Sequence, residues 1–310
     1  MATSNTRSQG HRTAPDGFIV VVVLWILGGL SVLVSIYSVY VIETATGFAI
    51  QDDRLRATEL TSTAIELGAY QQLALPPQSR ATRGAFNFRL GQANVSVAFR
   101  SEASRIDLNA APKPLLAGLF VALGARPDAA DTYADRVVGW RTPASAGNDR
   151  EAFFYQGAPY GPRGAKFPHV NELQLIRGLP ADLIERALPL VTVHSGRPQV
   201  NIFDAEPEVV AALPGMSRER LQAVLAQRLN PRADPKDVLA LLGPAQQFAT
   251  TEGSKAMRYA VKMAFDNGFH ARSEVVILLF EDGNEPFAVL SRRDDVDEPG
   301  TQVSLMTGVR

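Results

Sequence analysis

Side chains that could do chemistry are few and scattered. His11, His169, His194 and His270 are the four histidines. None belongs to a His-x-x-x-His pair of the kind that holds zinc on a helix. His194 directly precedes Ser195, but adjacency in sequence does not put an imidazole nitrogen on a hydroxyl. The chain has no Gly-x-Ser-x-Gly elbow, no Walker A loop and no Gly-rich dinucleotide fingerprint. Cysteine is absent, which excludes thiol nucleophiles, disulfides and thiolate zinc sites. Carboxylates are numerous, yet no convergent pair stands out. An exported, membrane-anchored hydrolase is an alternative with no triad or acid pair behind it, and the expectation is a protein that is not an enzyme.

Metal chemistry has one candidate segment. Asn148, Asp149 and Glu151 are oxygen donors close in sequence. Calcium takes about six to eight oxygens in a shaped loop. Three donors without an EF-hand pattern do not make a site. The expectation is no cofactor, with calcium as the one ion to consider there.

Nucleic acid is a second alternative. Residues 170–242 hold a loose repeat, with one copy at Val170–Ile184 and the other at Val200–Leu221. Each copy reads as a helix, a Gly/Pro turn and a new helix opened by Asp182 or Ser217, which resembles helix-hairpin-helix units. Such turns bind DNA backbones through exposed amides and nearby cations, and Arg218, Arg220 and Arg228 are the candidates. Glu206, Glu208 and Glu219 sit among them, and the net charge of the chain is −1. A general polyanion binder carries a basic excess. A DNA-binding or DNA-uptake membrane protein is therefore the alternative, and nucleic acid is not the expected partner.

The element that must position everything else is Phe18 to Ile42, an apolar run with no charged side chain. A helix needs about 20 apolar residues to cross a bilayer. A core helix of that length would carry a polar face, and a cleaved signal has an apolar stretch of only about 7–15 residues. The run therefore reads as a retained membrane helix. Arg7 and Arg12 precede it, which places the N-terminus in the cytoplasm and the bulk of the chain outside.

Where the run begins, Asp16-Gly17-Phe18 joins a short hydrophilic leader directly to the apolar segment. This junction resembles the processing site of type IV prepilins and of the pseudopilins of type II secretion. The resemblance implies cleavage after Gly17 by a prepilin peptidase and methylation of the new N-terminal Phe18. Most members of that family carry Glu at the fifth mature position, where this chain has Val22. A carboxylate inside a bilayer costs about 2.5–3.5 kcal/mol on insertion scales, so it is kept for a reason. In pilins the implied reason is pairing with the N-terminal amine of a neighbouring subunit. A subunit with no neighbour above it has no amine to neutralise. The K-type minor pseudopilin characteristically lacks this Glu.

Beyond the span the helical spacing continues. Leu55, Leu60, Ala64, Ile65 and Leu67 recur among charges up to about Leu73, and Leu75-Pro76-Pro77 ends the helix. Phe86–Leu90 and Val95–Phe99 alternate about a turn and predict a β-hairpin, with Ser101–Ile106 extending its second strand. Ile106-Asp107-Leu108-Asn109-Ala110-Ala111-Pro112 then opens a helical insert. In it Leu115, Leu116, Leu119, Phe120 and Leu123 form an apolar stripe that Gly124 breaks, and a second helix runs from Asp128 to Trp140. Residues 142–168 read as a loop pinned by Phe153, Phe154 and Tyr155. After Pro244 three strands follow, at Met257–Phe265, Ala271–Phe280 and Phe287–Arg292, ahead of an acidic tail from Asp294.

The fold class is therefore α+β. A long N-terminal pilin-like helix packs on an antiparallel sheet whose strands are split by a large helical domain. The segments are a leader (1–17), a transmembrane helix (18–42), its continuation (43–75), the first part of the sheet (76–109), the insert (110–245), and the rest of the sheet with its tail (246–310). The Leu-Asn-Ala-Ala-Pro opening and Trp140-Arg141 resemble the helical region of K-type minor pseudopilins. In that family acidic residues follow the Trp, and some members bind calcium. Here Thr142-Pro143 stand in that place.

The resemblance implies a single-pass inner-membrane subunit of the type II secretion system with a periplasmic head. It would cap a short pseudopilus and help to initiate its assembly. The implied partners are the I- and J-type minor pseudopilins, the major pseudopilin, the prepilin peptidase and the inner-membrane assembly platform. The intact mass of membrane-extracted protein, with and without prepilin peptidase, tests the premise. The expected product begins at methylated Phe18, whereas a chain that keeps its leader beside active peptidase would reduce the protein to an ordinary anchored domain.

Overall fold

The computed structural model describes residues 16–143, 149–230, 232–282 and 285–297. It divides into two compact units, Met1–Arg56 and Ala57–Arg310. One helix, α1 (Asp16–Leu73), runs through both.

In the larger unit the second part of α1 lies on a sheet. Its buried stripe is Ala57, Leu60, Ala64, Ile65 and Ala69, the three-and-four spacing of one helix face. Gly68 allows the closest approach, since a Cβ added there would lie 2.3 Å from Tyr259 Cε1. Leu55 does not belong to the stripe and is 64% exposed. It precedes Leu60 by five residues, which turns it about 140° away round the helix.

Two strands follow, β1 (Arg83–Leu90) and β2 (Ala93–Ser101), paired in register from Arg83–Arg100 to Leu90–Ala93. Gly91, at φ 58°, opens the two-residue turn between them, a backbone conformation that glycine adopts without Cβ strain. β2 ends at Ser101 and is not extended to Ile106. The Ser101 hydroxyl accepts the Ala103 N–H and starts a 3-10 turn, Glu102–Ser104. The local side-chain bond competes with the strand ladder and stops it.

The chain now enters the insert. A two-residue strand, β3 (Ile106–Asp107), precedes α2 (Lys113–Ala122) and α3 (Pro127–Arg141). The expected stripe Leu115, Leu116, Leu119, Phe120 and Leu123 is buried, and Gly124 turns the chain at φ 93°. A short helix, α4 (Asp149–Phe153), lies in the segment expected to be loop. The aromatics beside it do not act together. Tyr155 is buried against Trp140 and Tyr160, while Phe153 and Phe154 are exposed. Next come α5 (Ala181–Ala187) and β4 (Val191–Thr192), which pairs parallel with β3. Asp182 lies in the first turn of α5 behind an N-cap at Pro180, and so does not cap it.

A second sequence of the same kind follows. β5 (Val200–Asn201) leads into α6 (Pro207–Ala211), α7 (Arg218–Gln227), α8 (Pro235–Ala240) and β6 (Ala249–Thr250), and β6 pairs parallel with β5. Ser217 caps α7, as its type and place predict. The structural repeat thus starts at Ile106 and Val200. It does not pair Val170 with Val200, because Val170–Leu175 is a 3-10 turn. The two copies meet where Gly118 of α2 lies against the end of α6.

Three long strands close the fold: β7 (Ala256–Phe265), β8 (His270–Leu279) and β9 (Phe287–Asp297). The sheet order is β1-β2-β7-β8-β9, antiparallel throughout. Strands from either side of the insert therefore share one sheet. Asp294 and Asp295 lie within β9, paired with Ser273 and Arg272, and not in a tail. Two hydrophobic cores result, one between α1 and the sheet and one within the insert.

A Cβ added at Gly118 would lie 1.8 Å from the Ala212 carbonyl oxygen, which is backbone and cannot swing aside. Gly118→Ala is expected to cost about 3 kcal/mol, the upper part of the usual range for overpacking. The melting temperature of the detergent-solubilised chain reads it, and an unchanged value would contradict the close contact of α2 with α6.

Candidate functional site

The membrane-facing candidate is the span Val20–Val41, 22 residues at a mean hydropathy of 2.5 with none of its window buried. Its length and composition suit a bilayer crossing. The hydroxyls of Ser35 and Thr44 donate to Ser31 O (2.9 Å) and Tyr40 O (2.7 Å). Both are satisfied within the helix, which hydrocarbon surroundings demand of Ser35, inside the span. Gly17 and Phe18 form part of the first turn of α1, and their side chains lie outside the described residues. Val22 is 38% exposed on the same helix.

In the insert, each structural copy is locked by the same device. Asp107 Oδ1 accepts the Asn109 N–H (2.7 Å), and Asn201 Oδ1 accepts the Phe203 N–H (2.9 Å). These Asx turns lift the chain out of β3 and β5 toward α2 and α6. An arginine at the end of the second helix then closes each turn. Arg141 donates to the Leu108 and Ala111 carbonyls, and Arg228 donates to those of Ile202 and Ala205. Asp107 also accepts the Gly196 N–H at 2.6 Å. Burial pushes its carboxyl above the usual carboxylate range, against those backbone donors and the Arg141 charge. Sequence reading singled out Trp140-Arg141 but missed the roles of Arg141 and Arg228. The signal was present in the shared Ile/Val-Asx-Leu/Ile starts at Ile106 and Val200.

These bonds bear on the DNA alternative. Arg228 points into the fold, and Arg220 turns back to the Gly215 carbonyl at 3.1 Å. The Arg220 amide is already taken by Ser217 Oγ at 3.2 Å. Arg220 and Arg228 are thus committed within the protein, whereas Arg218 is exposed in the first turn of α7.

Of the calcium candidates, only the Glu151 side chain lies among the described residues. Asn148 lies outside the described residues, as does the side chain of Asp149 at the start of α4. Glu151 is buried and faces Arg136 at 3.4 Å. Burial raises its carboxyl above the ordinary value, and the Arg136 charge opposes this. Among the described residues no group of three or more His, Cys, Asp or Glu side chains could hold a metal.

A further site was not legible in the sequence. Arg83, Arg100 and Arg258 are register neighbours on β1, β2 and β7, a row of three arginines across the sheet. Each reaches the segments between or within the strands' interruption. Arg83 meets Asp204 (3.4 Å) and the Phe203 carbonyl (3.2 Å), and Arg100 meets Glu206 (2.5 Å). Arg258 grips buried Glu102 through Nε (2.6 Å) and Nη2 (3.1 Å), a bidentate fork. Thr192 of β4 donates to the same carboxylate, and Arg258 also pairs with Glu274. Burial pushes Glu102 up, but the Arg258 and Thr192 bonds and the Arg258 charge outweigh it and hold the carboxyl below its ordinary value.

Glu102→Gln leaves Arg258 without its buried counter-charge and is expected to cost about 3 kcal/mol at pH 7. Because Glu102 titrates below the ordinary 4.5 in the fold, its stabilisation is complete above that value and is lost as pH falls through the folded pKa. Asp107 and Glu151, whose carboxyls are raised, shift stability in the opposite sense in both proteins and cancel in the comparison. The gap in melting temperature between wild type and variant should therefore close on acidification below about pH 4.5. A gap that stays constant with pH would show that the Glu102 charge is not what matters.

Residues 91–196 match the family model for protein K of the type II secretion system (T2SS). The fold matches a chain of the GspK–GspI–GspJ complex of the enterotoxigenic Escherichia coli type 2 secretion system. That match has a TM-score of 0.56 at 18% identity, covering 79% of this chain and 98% of the other. No curated protein matches the sequence. The family match names the same K-type resemblance that the Leu-Asn-Ala-Ala-Pro segment suggested, and the structural match shows the fold.

Proposed function

We propose that this chain, a T2SS K-type pseudopilin by its matched region and its GspK-like fold, caps the tip of a periplasmic pseudopilus and helps to initiate its assembly. The observation that carries this reading is the match of residues 91–196 to protein K. It falls mostly on the insert, and not on the membrane helix and sheet that any pilin-type subunit would share.

Two physical arguments support a terminal place. The first is Val22. A subunit that sits below another in a filament gains from a carboxylate that neutralises the amine above it, and this chain has none to offer. The second is bulk. An insert with its own core, in a subunit whose helices pack side by side, obstructs the next subunit above it. In this reading Gly17 and Phe18 form the processing junction, the span lies in the inner membrane with its N-terminus cytoplasmic, and the head is periplasmic. The role is structural and requires no cofactor. The complex that the matched structure names suggests I- and J-type pseudopilins as the direct partners, with the major pseudopilin, prepilin peptidase and assembly platform as the remaining ones.

Labelling the chain in isolated filaments tests the placement. The intact chain should mark one end of each filament. A version that lacks residues 110–245 and carries Val22→Glu should spread along the shaft. Intact chain distributed along shafts would overturn the reading.

A further inference from the structure

Beside the arginine row lies a cavity of about 280 Å³ between the insert and the sheet. Arg105, Arg258, Arg292 and Arg293 line it, with His169 and His194 from the insert. Glu274 is the one carboxylate among its described lining residues. Arg258 already holds Glu274 as well as Glu102, and Arg292 is paired with Asp294 at 2.9 Å.

Arg105 and Arg293 are different. The Arg105 backbone N–H donates to the Glu102 carbonyl at 3.1 Å, but neither guanidinium makes a hydrogen bond or ion pair among the described residues. Arg105 is partly buried, and burial together with the Arg258 charge lowers its pKa against the nearby Glu102 and Glu274 charges. A guanidinium carries five N–H donors, and those of Arg105 remain open to an acceptor that enters the cavity. His169 adds a further donor. Its Nδ1 accepts the Asn171 N–H at 3.1 Å, so in the neutral ring the proton sits on Nε2.

The surroundings extend the same charge. Arg293 stands opposite Glu274 across β8 and β9, on the outward face of the sheet. Lys262 and Arg272 are register neighbours on that face, are exposed, and make no ion pair among the described residues. Asp295, opposite Arg272, is the nearby opposing charge. This cationic strip belongs to a chain whose overall net charge is −1, so its basicity is local. A small anion would satisfy Arg105 alone. A strip of cations leading out of the cavity fits a chain of carboxylates.

We infer that this cavity and the adjoining sheet face bind an acidic polypeptide segment, with one carboxylate seated between Arg105 and Arg293 and others along Lys262 and Arg272. Arginine suits the seat because its planar fork takes a carboxylate through two parallel bonds. Such binding requires neither a filament nor a membrane, and so is independent of tip capping.

The test is fluorescence anisotropy of a labelled hexaglutamate peptide with the full-length protein in detergent, with hexaglutamine as the neutral probe. Hexaglutamate should bind and hexaglutamine should not. Arg293→Gln, on the exposed rim, and Arg105→Gln should each weaken binding at least tenfold. Arg126→Gln should leave it unchanged, since Arg126 is exposed and paired with Asp128 elsewhere. If Arg105→Gln does not fold, Arg293→Gln and the double variant Lys262→Gln/Arg272→Gln carry the decision. Absence of hexaglutamate binding, or an equal loss in Arg126→Gln, would overturn the assignment. Displacement of the peptide by inorganic phosphate at concentrations below that of the peptide would mark a small-anion site and overturn the polypeptide reading.

Discussion

The fork between Arg258 and Glu102 is the constraint on which the arrangement of the larger unit depends. A sheet interrupted by more than 150 residues must close around whatever is inserted. Glu102 leaves β2 at the point where the chain departs, and Arg258 lies on β7 just after it returns. Their pairing joins the two ends of the excursion, and Thr192 ties β4 of the insert to the same carboxylate. Buried charges of this kind are a poor source of net stability, because desolvation offsets much of the attraction. Their value lies in geometry, since a bidentate fork accepts one orientation where an apolar contact accepts many. Arg83 and Arg100 repeat the logic on β1 and β2, where exposure makes each pair weaker.

Within the insert, order comes from duplication. Both copies start with a two-residue strand, and strands that short contribute little by themselves. An Asx turn supplies the bend, a later helix supplies an arginine, and the arginine satisfies carbonyls that the bend leaves unpaired. Asp107 and Asn201 are thus equivalent although one is charged. The first copy holds the charge at a cost, seen in its raised carboxyl, and offsets part of it with two backbone donors and Arg141. The family match covers the first copy and stops at residue 196. The second copy carries the same lock beyond it.

The span imposes a different kind of constraint. Its described side chains are exposed, and their composition suits hydrocarbon. One continuous helix, α1, carries two patterns, apolar all round along the span and a single buried stripe beyond it.

The sequence by itself determined the span, the five long strands, the first three helices with the buried stripe of α2, and the turn at Gly124. These are local properties of period and conformational preference, readable within a dozen residues. It also carried the K-type resemblance, through the Leu-Asn-Ala-Ala-Pro segment that lies inside the matched residues 91–196. Only the tertiary structure decided the rest. Leu55 is apolar and close to the stripe, yet a 100° step per residue turns it away. Asp294 and Asp295 look like a solvated tail, yet the length of β8 draws them into a ladder. The arginine locks join residues that local patterns cannot relate, as the 156 positions between Glu102 and Arg258 illustrate. An arginine in sequence reads as surface charge, and whether it faces water, a carbonyl or a buried carboxylate is settled by which elements the fold packs around it.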